Sequence, residues 1–155
     1  MNGQCSDPVR TIVLVDVENA VGSRYVSEGA TAQVVRAIER DFGPCAAIVI
    51  GTTYGINALH AKLDAPGALT VLKYGDNGAD RALQEHMQDR TTWARFARII
   101  LVSSDGGFAE AISDCAAHGM HTVVVAGASP LSKMLRLAAH EVQVLDFGLN
   151  YREVA

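Results

Sequence analysis

Three aspartates stand where carboxylates commonly do chemistry. Asp16 follows the apolar run TIVLV, Asp80 lies at the start of a predicted helix, and Asp105 links a strand to a helix within LVSSDGGFAEAI. Mg²⁺ and Mn²⁺ prefer oxygen ligands that several chain segments bring to one point. Without a cation, such carboxylates would repel one another by roughly 1 kcal/mol or more per pair. The sequence therefore predicts that Asp16, Asp80 and Asp105 bind Mg²⁺ or Mn²⁺.

Each aspartate also has a purely structural interpretation. Asp16 could accept hydrogen bonds from the loop amides of Glu18 or Asn19. Asp80 could interact with the helix macrodipole, and Asp105 could be an N-cap. Two glycines follow Asp105, and they weaken a helix start unless a phosphate or a hydrated cation must approach the backbone. The sequence leaves these alternatives open.

The elements that must position the aspartates alternate between strand and helix. The predicted strands are Thr11 to Val15, Ala46 to Ile50, Leu69 to Lys73, Ile99 to Val102, Thr122 to Val125 and Val142 to Leu145. The predicted helices are Ala32 to Asp41 with Thr31 as N-cap, Asn57 to Leu63, Ala79 to Arg90, Gly107 to His118 and Leu131 to Ala138. This order predicts an α/β fold, a three-layer α/β/α domain with a mostly parallel sheet of five to six strands. All three aspartates would lie at the carboxyl edge of that sheet, where ligands bind.

Composition narrows the class of protein. The chain has 155 residues, of which 49% are apolar and 19% charged, so it is long and apolar enough for one folded domain and is not disordered. We expect that domain to span residues 11–147, between tails at 1–10 and 148–155. The net charge of -4 excludes a simple basic nucleic-acid-binding module, but not a nuclease whose acidic pocket is ringed by arginines.

Other site classes lack their motifs. Cys5, Cys45 and Cys115 have neither a disulfide nor a metal-ligand spacing, and with no signal peptide they predict reduced thiols in the cytoplasm. No apolar run approaches the length of a membrane helix, so no membrane partner is expected. A P-loop, a GxGxxG motif and the DxD spacing of aspartyl-phosphate phosphatases are absent. A phosphatase or nucleotide-binding protein is therefore a weaker alternative.

Five segments resemble, in order, the motifs of the NYN-domain family of PIN-like ribonucleases. They are VLVDVENA at 13–20, NGADRALQEHM at 77–87, LVSSDGGFAEAI at 101–112, HGMHTVVVA at 118–126 and SKMLRLAAHEVQVLDF at 132–147. Together they cover nearly the whole chain from residue 11 to residue 147. The resemblance implies a parallel sheet with flanking helices and metal-dependent cleavage of RNA phosphodiester bonds, with single-stranded RNA as the expected partner.

Matched residue by residue, the resemblance implies that Asp16, Asp80 and Asp105 are catalytic residues as well as metal ligands. The residues predicted to bind substrate are Asn19, Ser103, Ser104, Ser132 and Arg81. Further RNA contacts are expected from Arg24, Lys73, Lys133 or Arg136, and base stacking from Tyr54 or Tyr74. Related domains often pair through helices, which suggests a homodimer.

The chain departs from the family pattern at two positions. Gly107 stands where a second aspartate often follows Asp105, and Asn77 stands where a lysine is common. Glu18 is either a replacement for the missing carboxylate or a solvated loop residue. Two functions therefore remain: a metal-dependent ribonuclease, or a weakly active or inactive domain that binds RNA or a protein partner.

Overall fold

Six parallel strands form the sheet of the computed structural model, which describes residues 10–149. They are β1 (Thr11–Asp16), β2 (Ala47–Thr52), β3 (Leu69–Leu72), β4 (Arg98–Val102), β5 (His121–Ala126) and β6 (Glu141–Val144). Their order is β3-β2-β1-β4-β5-β6, and every neighbouring pair is parallel. Cys5 and all but three residues of the two predicted tails lie outside the described range.

Helices cover both faces of this sheet. They are α1 (Val17–Val21), α2 (Ala30–Phe42), α3 (Gly55–Asp64), α4 (Gly78–Met87), α5 (Arg90–Arg95), α6 (Ala109–Ala117) and α7 (Lys133–Ala138). Alternate residues of β1 enter separate cores: Val13 and Val15 pack with α1, α2 and α3, whereas Ile12 and Leu14 pack with α4 and α6. The predicted three-layer α/β/α architecture is therefore confirmed, with a sheet that is parallel throughout the described residues.

The first loop was predicted incorrectly. A short helix, α1, follows Asp16 directly, because Val17 and Val21 are buried against the core.

Thr31 is not the N-cap of α2, since it is buried inside that helix. The cap position belongs to Gly29, at a φ of 84°, and the Asp64 carboxylate at the end of α3 accepts hydrogen bonds from the Gly29 and Ala32 amides. A capping residue 35 positions away leaves no local sequence signal.

The helix predicted from Ala79 to Arg90 is two helices. α4 ends at Met87, and the Asp89 carboxylate then accepts a 2.8 Å hydrogen bond from the Thr91 amide. That bond makes Asp89 the N-cap of α5, because a side-chain acceptor at this position satisfies an amide that has no partner inside the helix. Among residues 10–149, no helix combines the length and the apolar character needed to cross a membrane.

The strand order reverses between β1 and β4. Val15 pairs with Val102, so Asp16, the last residue of β1, lies beside Ser103, the residue that follows β4. Crevices at the carboxyl ends of strands where the order reverses are the usual ligand sites of open α/β sheets. The fold thus places two of the predicted site segments at this point.

Candidate metal-binding site

The structure brings the three predicted aspartates together. Asp16 is the last residue of β1, Asp80 lies in the first turn of α4, and Asp105 precedes a short 3₁₀ turn, Gly106–Phe108. All three line one cleft of about 270 Å³ at the carboxyl edge. Asp80 is within hydrogen-bonding range of both other carboxyl groups. Three segments far apart in sequence therefore meet at one point.

Asp16 is almost completely buried, with 5% of its surface exposed. Burial raises its pKa to about 6, the Ser103 hydrogen bond opposes the shift, and the nearby charges of Glu18 and Asp105 add to it. The Ser103 hydroxyl donates this bond to Asp16 Oδ2 at 3.1 Å. No capping hydrogen bond reaches the Asp16 side chain from the first turn of α1. The predicted alternative, in which amides of that loop hold Asp16, is therefore wrong.

Asp80 has the larger upward shift although it is only partly buried. Burial, hydrogen bonding with Asp105 and the charges of Asp16 and Asp105 raise the pKa of Asp80 to about 8. A helix N-terminus favours the charged carboxylate and lowers such a pKa. Because the shift is upward, the neighbouring carboxylates and burial outweigh the helix macrodipole. Without a cation, the surroundings of Asp80 therefore favour its protonated form.

Asp105 takes part in the turn and in the cluster at the same time. Its Oδ1 accepts a 2.9 Å hydrogen bond from the Gly107 amide, which caps the 3₁₀ turn as predicted. A Cβ placed on Gly107 would lie 3.3 Å from Asp105 Oδ1 and 3.8 Å from Asp80 Oδ2. The position that lacks the expected second aspartate is thus directly beside the cluster.

Within the described part of the chain, no cationic side chain forms an ion pair with these carboxylates. The four ion pairs found among residues 10–149 involve none of the three aspartates. In the same range, no group of three or more His, Cys, Asp or Glu side chains is arranged ready to hold a metal ion. The carboxyl groups of Asp16 and Asp105 lie close enough to that of Asp80 to raise its pKa. Such a set of oxygen donors would suit a divalent cation, because Mg²⁺ needs few protein oxygens and keeps several waters.

Asn19 closes a ring of hydrogen bonds behind the cluster. Its Oδ1 accepts from the Ser104 amide at 2.8 Å, and the Ser104 hydroxyl donates to the Ser129 carbonyl at 2.7 Å. The Ser129 hydroxyl in turn donates to the Asn19 carbonyl at 3.1 Å. The ring ties α1 to the loops that follow β4 and β5. Of the residues predicted to bind substrate, Asn19 lines the cleft, whereas the buried hydroxyls of Ser103 and Ser104 are occupied within the protein.

Ser132 and Arg81 lie beside the cleft and support its loops. The Ser132 hydroxyl is so close to Gly106 that a Cβ there would lie 2.6 Å from it. The Arg81 guanidinium donates to the backbone carbonyl of Asp76 and, at 3.5 Å, to that of Tyr74. Neither residue is among those that line the cleft. Both side chains therefore position the segments that enter the site.

Glu18 is a fourth carboxylate on the same cleft, and sequence reasoning did not find its partners. Its Oε2 accepts from the Thr52 hydroxyl at 2.5 Å and from Asn57 Nδ2 at 3.0 Å, and its Oε1 accepts from the Thr53 amide at 3.2 Å. Desolvation raises the pKa of Glu18 while these three donors oppose the shift. The interpretation as a solvated loop residue is wrong. The partners come from β2 and α3, so no local spacing points to them.

The other wall of the cleft carries the residues suited to a larger ligand. Arg24, Tyr54, Asp76 and Asn77 line it together with Thr53 and Gly75. The Arg24 guanidinium makes no hydrogen bond or ion pair with any residue between 10 and 149. A free guanidinium beside an acidic cluster suits an anionic ligand such as a phosphate.

Comparisons with known proteins agree with this architecture. A comparison with the curated proteins finds no match. Among solved structures, a protein of unknown function from Vibrio parahaemolyticus RIMD 2210633 has a similar fold, with a TM-score of 0.64 and 19% identity over 92% of this chain and 97% of that chain. The model of the NYN domain matches residues 10–146, which is nearly the whole chain. The protein described here therefore belongs to the NYN domain family, the family that its sequence motifs resemble.

Proposed function

We propose that this protein is a divalent metal-dependent ribonuclease. The proposal rests above all on one observation: Asp16, Asp80 and Asp105 converge in an open cleft, and no described cation neutralises them. A protein that uses carboxylates only for structure supplies them with donors or cationic partners. Membership of the NYN domain family adds the expectation of nuclease chemistry.

Asp16, Asp80 and Asp105 would hold one Mg²⁺ or Mn²⁺ ion, directly or through water. When bound, the ion supplies Lewis-acid chemistry, in which it lowers the pKa of water and neutralises charge on phosphoryl oxygens. The carboxylates fix the place at which phosphate and water meet, since their segments end at the same edge of the sheet. Their negative charge also repels RNA in the absence of metal, so we expect binding and cleavage to depend on the cation.

Other residues of the site would orient the reacting groups. Ser103 holds the Asp16 carboxylate through a 3.1 Å hydrogen bond and thereby fixes its rotamer. Asn19 anchors the Ser104 amide, and this bond sets the path of the chain into Asp105. Arg24, which has no ionic partner between residues 10 and 149, would bind a phosphate that flanks the scissile one.

Cleavage of a labelled single-stranded RNA in the presence of Mg²⁺ or Mn²⁺ tests the proposal. We expect the wild-type protein to cleave the strand, EDTA to stop the reaction, and Asp16→Asn to lower the rate by more than about 100-fold. Calorimetry with the metal alone should show a matching loss of metal affinity in the variant. Equal cleavage by wild type and Asp16→Asn would overturn the nuclease proposal.

Asp41→Asn provides the matched control. Asp41 is a surface aspartate on α2 that pairs with the neighbouring Arg40 at 3.4 Å and with no other residue between 10 and 149. The substitution makes the same chemical change away from the cleft, so it should alter neither cleavage nor metal affinity. A loss of cleavage in this variant would show that the assay reports on folding rather than on the site.

Gly107 favours a second candidate function, in which the domain binds RNA without cleaving it. Its backbone lies beside Asp105 and Asp80, where a further carboxylate would complete a stronger metal site. With fewer carboxylates, the site would bind a cation less tightly. Metal-dependent RNA binding by the wild-type protein, together with no cleavage in either Mg²⁺ or Mn²⁺, would support this second function over the first.

A further inference from the structure

Two exposed tyrosines lie at the cleft that contains the aspartates: Tyr54 lines it, and Tyr74 lies beside Gly55, the residue after Tyr54. Tyr54 follows β2 and lines the cleft, with 39% of its surface exposed. Tyr74 follows β3 and is 69% exposed. Its hydroxyl lies 3.3 Å from the position of a Cβ on Gly55, the residue next to Tyr54. The loops after two adjacent strands therefore present neighbouring aromatic side chains at one rim.

Neither ring has a stacking partner among the residues that the structure describes. Between residues 10 and 149, neither tyrosine has an aromatic or cationic ring contact or a hydrogen bond from its hydroxyl. Tyr25 is a useful contrast, because it is 50% exposed but packs edge-on against His60 at 5.7 Å. Exposed aromatic rings without structural partners are the surfaces on which unpaired bases stack.

Tyr54 lines the same cleft as the proposed site of cleavage. The lining of this cleft includes Asp16, Asp105 and Tyr54, with Arg24 also on its wall. A phosphate held at the aspartates thus leaves the adjoining sugar and base to extend towards the tyrosines. The 270 Å³ volume of the cleft suits one nucleotide.

We propose that Tyr54 and Tyr74 form a base-stacking subsite for an unpaired nucleotide next to the scissile phosphate, so that the site selects single-stranded over double-stranded RNA. The position of the phosphate rests on the proposed nuclease function. Stacking is indifferent to base identity because every base has a π face, so the subsite selects strandedness rather than sequence. A base within a duplex is already stacked and cannot reach these rings.

Binding of a fluorescent single-stranded RNA, measured by anisotropy in Ca²⁺ without requiring cleavage, tests the subsite. We expect Tyr54→Leu and Tyr74→Leu each to weaken binding by about fivefold, and the double variant by more, at unchanged melting temperature. Tyr54→Phe and Tyr74→Phe keep the ring and should bind as the wild type does. Tyr25→Leu, outside the cleft, should also have no effect. The same strand annealed to its complement should bind weakly to all variants.

An abasic nucleotide in the strand shows whether the tyrosines contact a base. Moving the abasic position along the strand should reveal one position where the wild type loses about fivefold or more in affinity and the double Leu variant loses nothing further. Equal binding by wild type and double variant, equal loss in Tyr25→Leu, or no binding by the wild type would each overturn the subsite.

Cleavage in Mg²⁺ or Mn²⁺, measured with the same proteins, separates this inference from the nuclease proposal. If the wild type cleaves RNA and the double Leu variant binds RNA as tightly as the wild type, the nuclease proposal stands and the subsite is overturned. A wild type that binds single strands through the tyrosines but cleaves none would retain the subsite and overturn the nuclease.

Discussion

Two carboxylates on the same cleft, Glu18 and Asp80, have opposite surroundings. Glu18 accepts three hydrogen bonds, from a hydroxyl, a side-chain amide and a backbone amide. Asp80 faces two other carboxyl groups. No other side chain or amide among the described residues donates a hydrogen bond to its carboxylate. Burial raises both pKa values, but donors oppose the shift at Glu18, whereas the neighbours of Asp80 increase it to about 8.

The difference separates a structural carboxylate from one that needs a ligand. A buried charge with matched hydrogen-bond donors is stable without a further partner. The bonds of Glu18 connect α1 to the end of β2 and to α3. A carboxylate placed against two others is unfavourable until a proton or a cation joins it. Glu18 therefore stabilises the residues that line the cleft, whereas Asp80 belongs to the candidate metal site within the cleft.

The largest expected effect is on cleavage by Asp80→Asn. Loss of one of three carboxylates should lower metal-dependent cleavage by more than about 100-fold. The same variant should melt at a higher temperature than the wild type at pH 8 without metal, because it removes a like charge from the cluster. Rates from labelled RNA and melting curves in EDTA measure the two effects. A variant that loses both activity and metal-free stability would place Asp80 with Glu18 as a structural residue.

Glu18→Gln should show the reverse behaviour. The amide places an NH₂ group against donors from Thr52, Thr53 and Asn57, and one mismatched buried donor costs about 1–3 kcal/mol. We expect the free energy of unfolding in urea to fall by that amount while metal affinity changes less than in Asp80→Asn. Glu18→Ala should also be destabilised, because it leaves the same donors without an acceptor. An unchanged stability in both variants would contradict the structural role.

Sequence reasoning predicted the α/β architecture because buried parallel strands are continuous apolar runs and helices alternate with them. It also predicted that Asp16, Asp80 and Asp105 meet, since right-handed crossovers bring strand ends to one edge. It missed the surroundings of Glu18 and the cap of α2, because their partners lie 32 to 39 positions away. Long-range hydrogen bonds leave no spacing in the chain, whereas periodicity and topology do.

Gly107→Asp sharpens the comparison by adding a carboxylate to the cluster. A Cβ at this position would lie 3.3 Å from Asp105 Oδ1, so the new group can reach the site, with a close contact that the turn must absorb. We expect Mg²⁺ or Mn²⁺ affinity to rise by about three- to tenfold, because a further hard oxygen ligand is added. Gly107→Ala tests the backbone and the contact without adding charge. An affinity gain in both variants, or in neither, would show that charge at position 107 is not what limits metal binding.

The smallest expected effect is the pH dependence of stability without metal. The pKa of Asp80 is raised from 3.8 to about 8 in the folded protein, so the folded state binds this proton more tightly than the unfolded chain does. The contribution of Asp80 to the free energy of unfolding is therefore fully present below pH 4 and is lost as the pH rises to about 8. The corresponding contribution of Asp16 is lost by about pH 6. Because Asp80 is partly solvated, we expect a fall of only about 1 kcal/mol between pH 6 and pH 8, which is about 2–4 °C in melting temperature.

Melting curves in EDTA across that range measure the fall, and Asp80→Asn serves as the reference for all other titrating groups. The variant should lose less stability than the wild type between pH 6 and pH 8, since it has no proton to release. Saturating Mg²⁺ should remove the extra fall in the stability of the wild type. The reason is that the ion binds best to the ionised carboxylate and so stabilises the folded protein most at the higher pH. A wild type whose slope equals that of Asp80→Asn, with and without Mg²⁺, would mean that Asp80 is already ionised at neutral pH and that the carboxyl groups of the cluster share no proton for a cation to displace.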